Sequence, residues 1–101
     1  MIIYVDIDNT ICNSFKNKND EWDYNLSTPR KKQIEKINKL YKKGHEIVYW
    51  TARGSATGIN WEKLTSTQLK NWGCKYSRVE NKIKPVYDLF IDDKAKRIEE
   101  I

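Results

Sequence analysis

Three short apolar runs in this chain each end at polar residues, and this arrangement most constrains the fold. Residues 2–7 (IIYVDI), 45–50 (HEIVYW) and 88–91 (DLFI) are rich in β-branched and aromatic side chains. A short run that is apolar on both faces is typical of a strand inside a parallel sheet. We therefore predict strands at these three places, with a shorter one at 75–79 (KYSRV).

The stretches between the strands carry helical patterns. Residues 29–43 place apolar side chains at helical spacing, with Ser27 or Thr28 as the cap and Pro29 in the first turn. Residues 60–72 repeat the pattern, and a final helical turn is expected near the C-terminus. Strands alternating with helices predict βαβ units, and hence a parallel sheet with right-handed crossovers.

Length and composition limit the possible architectures. At 101 residues and a mass of 12.0 kDa, the chain suits one α/β domain over residues 1–101, a Rossmann-like sheet of about four strands flanked by helices. The net charge of +5 favours anionic partners, although most of the excess is lysine on solvated helix faces. The chain contains no apolar run long enough to cross a membrane, so we expect a cytoplasmic protein.

Polar side chains follow the strands where each one ends. Asp6 and Asp8 follow the first run, Thr51 the second, and Asp92 with Asp93 the last. Because parallel strands share one carboxyl edge, these side chains are expected to meet there. Four carboxylates at one edge need a compensating cation, and oxygen ligands favour Mg²⁺. Magnesium beside carboxylates suggests phosphoryl transfer.

Four motifs in chain order resemble those of the haloacid dehalogenase superfamily, and the resemblance spans the whole chain. They are the DxDxT motif at 6–10 (DIDNT), the strand-end threonine Thr51 in YWTARG, Lys84 in KPVYD, and the acidic pair Asp92-Asp93 in LFIDD. The resemblance implies a phosphatase with a Rossmann-like fold. Only about twenty residues separate the first motif from the first helix, which leaves no room for a cap domain.

The resemblance also implies a role for each motif residue. Asp6 would attack phosphorus, and Asp8 would protonate the leaving alcohol and then deprotonate water. Thr51 and Lys84 would hold phosphoryl oxygens, with Lys82 as a competitor for the lysine role.

A magnesium site follows from the same resemblance. Its ligands would be Asp6, the main-chain carbonyl of Asp8, and the terminal pair, with Asp93 binding directly and Asp92 behind it. The presence of an acid at Asp8 favours a phosphatase over the dehalogenases and pumps of the superfamily.

Four further residues are candidates for substrate binding: Asn9, Thr10, Arg53 and Trp22. Arg53 could meet phosphate or hydroxyl groups, and a surface arginine is an equal alternative. Trp22 and Tyr24 lie in the polar loop at 13–28, where the superfamily places a flap, and could stack on a sugar or base.

The substrate class rests on a narrower likeness. The spacing in KPVYDLFIDDKA is similar to that of small phosphatases encoded with capsule or polysaccharide genes, which implies a sugar phosphate. A nucleotide or polynucleotide-end phosphatase, a receiver-like phosphoacceptor domain and an inactive scaffold are the alternatives. An open site without a cap also predicts a homo-oligomer in which a neighbour covers the substrate.

Overall fold

The structure is a computed structural model that describes residues 1–54, 58–81, 87–95 and 98–100. Its secondary structure alternates strands with helices, as predicted. In chain order the elements are β1 (Ile2–Asp6), β2 (Cys12–Asn13), a 3₁₀ turn (Tyr24–Leu26), β3 (Thr28–Pro29), α1 (Lys31–Lys42), β4 (Glu46–Trp50), α2 (Glu62–Asn71), β5 (Arg78–Glu80), β6 (Leu89–Ile91) and a second 3₁₀ turn (Ile98–Glu100).

Four strands form one parallel sheet in the order β5-β4-β1-β6. The predicted α/β class with a four-stranded parallel sheet is therefore confirmed. Strand β1 pairs with β4 on one side, where Asp6 aligns with Trp50, and with β6 on the other, where Val5 aligns with Ile91. After β1 the chain therefore adds β4 and β5 on one side of this strand, and it later adds β6 on the other side. In sheets of this kind, ligands bind beyond the carboxyl ends of the strands at such a switch point.

One face of the sheet carries the hydrophobic core. Side chains of β1 and β4 that share this face are fully buried, as Ile3 and Tyr49 illustrate. Helices α1 and α2 cover them through Ile34, Ile37 and Leu69. Burying one such side chain stabilises a fold by roughly 1.5–3 kcal/mol. Both helices lie on this face, and their packing on the sheet fixes the ends of α1 and α2 relative to the strand ends.

The first helix begins later than the sequence predicts. It starts at Lys31 with Arg30 at the cap position, so the prediction of a Ser27 or Thr28 cap with Pro29 inside the helix is wrong. Thr28–Pro29 instead pairs antiparallel with Cys12–Asn13. The Arg30 N–H also donates to the Ile11 carbonyl at 2.8 Å, which keeps the chain extended up to that point.

Other predicted boundaries differ by smaller amounts. The strand predicted at 75–79 lies at Arg78–Glu80, and the helix predicted at 60–72 spans Glu62–Asn71. The predicted loop at 13–28 contains β2, β3 and a bridge between Lys16 and Trp22, so it is partly ordered by backbone pairing. Among the helices described, neither α1 nor α2 has the length and apolar content needed to cross a membrane.

Candidate active site

Three carboxylates meet at the carboxyl edge of the sheet, beyond neighbouring strands. Asp6 ends β1, while Asp92 and Asp93 follow β6, and one carboxylate oxygen from each lies within 4.8 Å of the others. Asp6 is partly buried, whereas the other two are exposed. The parallel pairing of β1 with β6 brings these residues together, although 85 positions separate Asp6 from Asp92 along the chain.

Mutual repulsion changes the protonation of this cluster. Burial, together with the charges of Asp92, Asp93 and Asp8, raises the pKa of Asp6 to about 7. A hydrogen bond with Asp92 raises the pKa of Asp93. At Asp92, burial raises the pKa, but hydrogen bonds from Asp93 and Lys94 outweigh it and lower the value. Such a set of oxygen donors suits a hard divalent cation, because a bound cation would offset the repulsion.

The turn after β1 holds the first carboxylate in place. Asn9 adopts a left-handed conformation with φ of 61°, and the Thr10 and Ile11 N–H groups both donate to the Ile7 carbonyl. The Thr10 hydroxyl then reaches Asp6 Oδ2 at 3.3 Å. The Asn9 side chain accepts from the Ser14 N–H at 3.2 Å. In this structure Asn9 and Thr10 therefore stabilise the turn, and their predicted contact with substrate stays a prediction.

Asp8 lies two residues beyond Asp6, and its side chain binds Arg53. Arg53 Nη2 donates to Asp8 Oδ1 at 2.8 Å, and Arg53 Nε donates to Oδ2 at 3.0 Å. The Ser14 hydroxyl donates to Oδ1 at 2.6 Å. The side chain of Asp8 is not part of the three-carboxylate cluster, so its predicted metal contact through the main-chain carbonyl stays a prediction.

Arg53 is buried, so the alternative of a surface arginine is wrong. Its side chain is only 1% exposed. Arg53 Nη1 donates to Gln68 Oε1 at 2.6 Å and to Thr65 Oγ1 at 3.2 Å, both on α2. The guanidinium carbon lies 4.5 Å from the centroid of the Tyr24 ring. These and the preceding contacts use four of the five N–H donors of Arg53, and the fifth, on Nη2, has among the described residues only the Cys12 sulfur, 4.0 Å away. The predicted direct contact of Arg53 with substrate stays a prediction.

Sequence reasoning missed Thr65, Gln68 and Ser14 as members of the site. The two α2 residues were expected on the helix face that carries Leu64 and Leu69, where polar side chains are costly unless they are hydrogen-bonded. Two polar residues on a buried helix face are the signal that could have found them.

Thr51 follows β4 and is buried beside this network. Its backbone N–H donates to the Glu80 carbonyl at 3.0 Å, and its hydroxyl oxygen accepts from the backbone N–H of Arg53 at 3.0 Å. A hydroxyl that accepts through its oxygen can still donate its proton to another group. The side chain is therefore suited to donate to an anionic oxygen, in keeping with its predicted role.

The aromatic residues of the 13–28 segment have different environments. Trp22 is 49% exposed, and the Lys16 ammonium lies 5.3 Å from the centroid of its ring. Tyr24 packs edge-on against Trp61 with ring centroids 5.1 Å apart, and its carbonyl accepts from Gln68 Nε2 at 2.6 Å. Trp22 is thus exposed enough to meet a ligand, whereas Tyr24 anchors the segment to α2.

A cleft of about 650 Å³ opens beside Thr51. The residues that line it include Trp50, Trp61, Asn60 and Asn81. Lys84, the predicted phosphate ligand, and its competitor Lys82 lie outside the described residues. Comparisons of the chain with protein-family models, with curated proteins and with solved structures found no match.

Proposed function

We propose that this protein is a magnesium-dependent phosphomonoester hydrolase of the haloacid dehalogenase type, acting through an aspartyl-phosphate. The observation that carries the proposal is the separation of two acids that are only two residues apart. Asp6 belongs to the carboxylate cluster with Asp92 and Asp93, whereas Asp8 is held by Arg53. One acid is therefore suited to lie beside a cation and a phosphoryl group, and the other to handle protons.

The first half-reaction forms the covalent intermediate. An Asp6 carboxylate oxygen attacks phosphorus, and the bond between phosphorus and the ester oxygen breaks. Its electron pair leaves on the ester oxygen, which takes a proton from Asp8 and departs as the alcohol. The Thr51 hydroxyl and the Lys84 ammonium would donate to the phosphoryl oxygens.

The second half-reaction regenerates the enzyme. Water attacks phosphorus and gives a proton to the Asp8 carboxylate, while the bond from phosphorus to Asp6 breaks and releases inorganic phosphate. Asp6, Asp92, Asp93 and the carbonyl of Asp8 would hold Mg²⁺, which when bound neutralises charge on the carboxylates and the phosphoryl group.

A sugar phosphate is the substrate class that the cleft supports best. A lining that combines tryptophan and asparagine residues suits a hydroxylated ring, since aromatic and polar side chains can both contact a sugar. Glu62, which also lines the cleft, disfavours a long polyanion such as a nucleic acid. A neighbouring subunit that covers the open site belongs to the same proposal.

The test is phosphate release with and without Mg²⁺ from sugar phosphates, nucleotides and 3′-phosphorylated oligonucleotides. We expect release by the wild type in Mg²⁺, loss in EDTA, and loss in Asp6→Asn. Glu35→Gln, which removes an exposed carboxylate on α1, is the matched control and should remain active.

Three outcomes would contradict the proposal in different ways. Activity that persists in Asp6→Asn would exclude the aspartyl-phosphate mechanism. A long-lived aspartyl-phosphate without turnover would favour a receiver-like domain. Turnover of the nucleic-acid substrates alone would replace the sugar phosphate with a polynucleotide end.

A further inference from the structure

We propose that Arg53 is a positioning residue that fixes the Asp8 carboxylate so that Oδ2 is the oxygen exchanging a proton with the substrate. This inference rests on the proposed function, because it assigns the geometry of the acid in that reaction. Arg53 would act only through Asp8 and would not touch the phosphate.

The two oxygens of Asp8 have unequal hydrogen bonding. Oδ1 accepts from Arg53 Nη2 at 2.8 Å and from the Ser14 hydroxyl at 2.6 Å, with Arg53 Nε 3.2 Å away. Oδ2 accepts only from Arg53 Nε, at 3.0 Å, among the described residues. Each carboxylate oxygen has two lone pairs, so Oδ1 is fully used and Oδ2 retains one. The Asp8 side chain is 23% exposed, so the carboxylate is not sealed from the solvent side of the site.

Arg53 can hold the Asp8 carboxylate in this orientation because neighbouring side chains restrain the guanidinium. Two α2 side chains, Thr65 and Gln68, accept from Nη1, and both are buried. The Tyr24 ring covers the guanidinium plane at 4.5 Å. A planar guanidinium that is held on both its Nη1 donors and on one face presents one fixed fork to its carboxylate. A lysine in its place would keep the charge but lose this directional control.

The same contacts join the flap segment to the acid. Gln68 donates through Nε2 to the Tyr24 carbonyl at 2.6 Å and accepts from Arg53 through Oε1. The Tyr24 region, the loop after β4 and helix α2 therefore meet at one guanidinium. An alternative on the same contacts is that Arg53 only ties these segments together, with no specific effect on proton transfer.

Leaving-group dependence distinguishes these two roles. A nitrophenolate leaves phosphorus without needing a proton, whereas an alkoxide must receive one, so a misplaced acid slows formation of the aspartyl-phosphate only from the alkyl ester. Hydrolysis of the aspartyl-phosphate also uses Asp8 but is the same for both esters, so the comparison is made in kcat/KM, which reports the steps up to release of the alcohol. The experiment measures kcat and KM for p-nitrophenyl phosphate and an alkyl phosphate in Mg²⁺. The variants are Arg53→Lys, Asp8→Asn and Ser14→Ala.

We expect Arg53→Lys to lower kcat/KM for the alkyl ester about tenfold or more beyond its effect on the aryl ester. Asp8→Asn should show the same pattern more strongly, and Ser14→Ala the same direction with a smaller change. The matched control is Arg78→Lys, which removes another arginine fork, paired with Glu46 and Glu80, and should leave the ratio unchanged.

An equal loss of kcat/KM on both esters, with KM unchanged, would overturn the inference in favour of a structural role. A rise in KM on both esters with kcat unchanged would overturn it in favour of direct phosphate binding. If Arg53→Lys does not fold, an unchanged ratio in Ser14→Ala would overturn it. When the wild type is active and Asp6→Asn is not, any of these results refutes the role of Arg53 and leaves the proposed function standing. A wild type inactive on both esters refutes the proposed function as well.

Discussion

Replacing Asp6 with Asn should stabilise the protein in the absence of Mg²⁺, by an amount that grows as the pH rises above about 4 and is complete near pH 7. Burial, with the charges of Asp92 and Asp93, raises the Asp6 pKa from 3.8 to about 7. A carboxyl whose pKa rises on folding contributes stability below its unfolded pKa, and this is lost as the pH rises through the folded value. At about 1.36 kcal/mol per pH unit the upper limit is about 4 kcal/mol, and partial exposure of the side chain reduces it to about 2 kcal/mol.

Urea unfolding of wild type and Asp6→Asn in EDTA, at about pH 4 and about pH 8, measures this difference. We expect equal free energies of unfolding at the acidic pH and a variant more stable by about 2 kcal/mol at the alkaline pH. Comparing the two proteins at each pH cancels the titration of all other groups. Mg²⁺ at about 100 times its Kd should add about 2.7 kcal/mol to the wild type and less to the variant. The same difference in unfolding free energy at both pH values would refute the raised pKa of Asp6.

Two further substitutions test the surroundings of the site. In Gly54→Ala the new Cβ would lie 2.1 Å from the Ile59 carbonyl oxygen at a φ of +84°. We expect a loss of about 2 kcal/mol or more in urea unfolding, together with reduced phosphate release. Gly44→Ala, at a φ of +97° with no described atom within 4 Å, should lose only about 1 kcal/mol, and equal losses would contradict the clash. For Trp22→Ala, 49% exposed in the wild type, we expect unchanged stability and a KM raised about two- to tenfold. An unchanged KM on every ester would remove Trp22 from the substrate site.

The sheet and its acidic edge could be predicted because they depend on local patterns. Runs such as IIYVD are apolar on both faces, and only a strand covered on both sides can bury them. Parallel strands share one carboxyl edge, so Asp6 and Asp92 were expected at the same edge, and the direct pairing of β1 with β6 brings them together. Element boundaries were less predictable, because pairing of Thr28–Pro29 with Cys12–Asn13 overrides the local preference of Pro29 for a helix start.

The partner of Asp8 was decided by the tertiary structure alone. Sequence patterns left Arg53 either at the surface or on the substrate, since nothing near it in the chain requires burial. Its position depends on Tyr24 and Gln68, which lie 29 residues before it and 15 residues after it and reach it only after α2 has packed on the sheet. Strand formation follows from the pattern of a short segment. Burying a charge instead requires hydrogen-bond partners that only the assembled fold can supply.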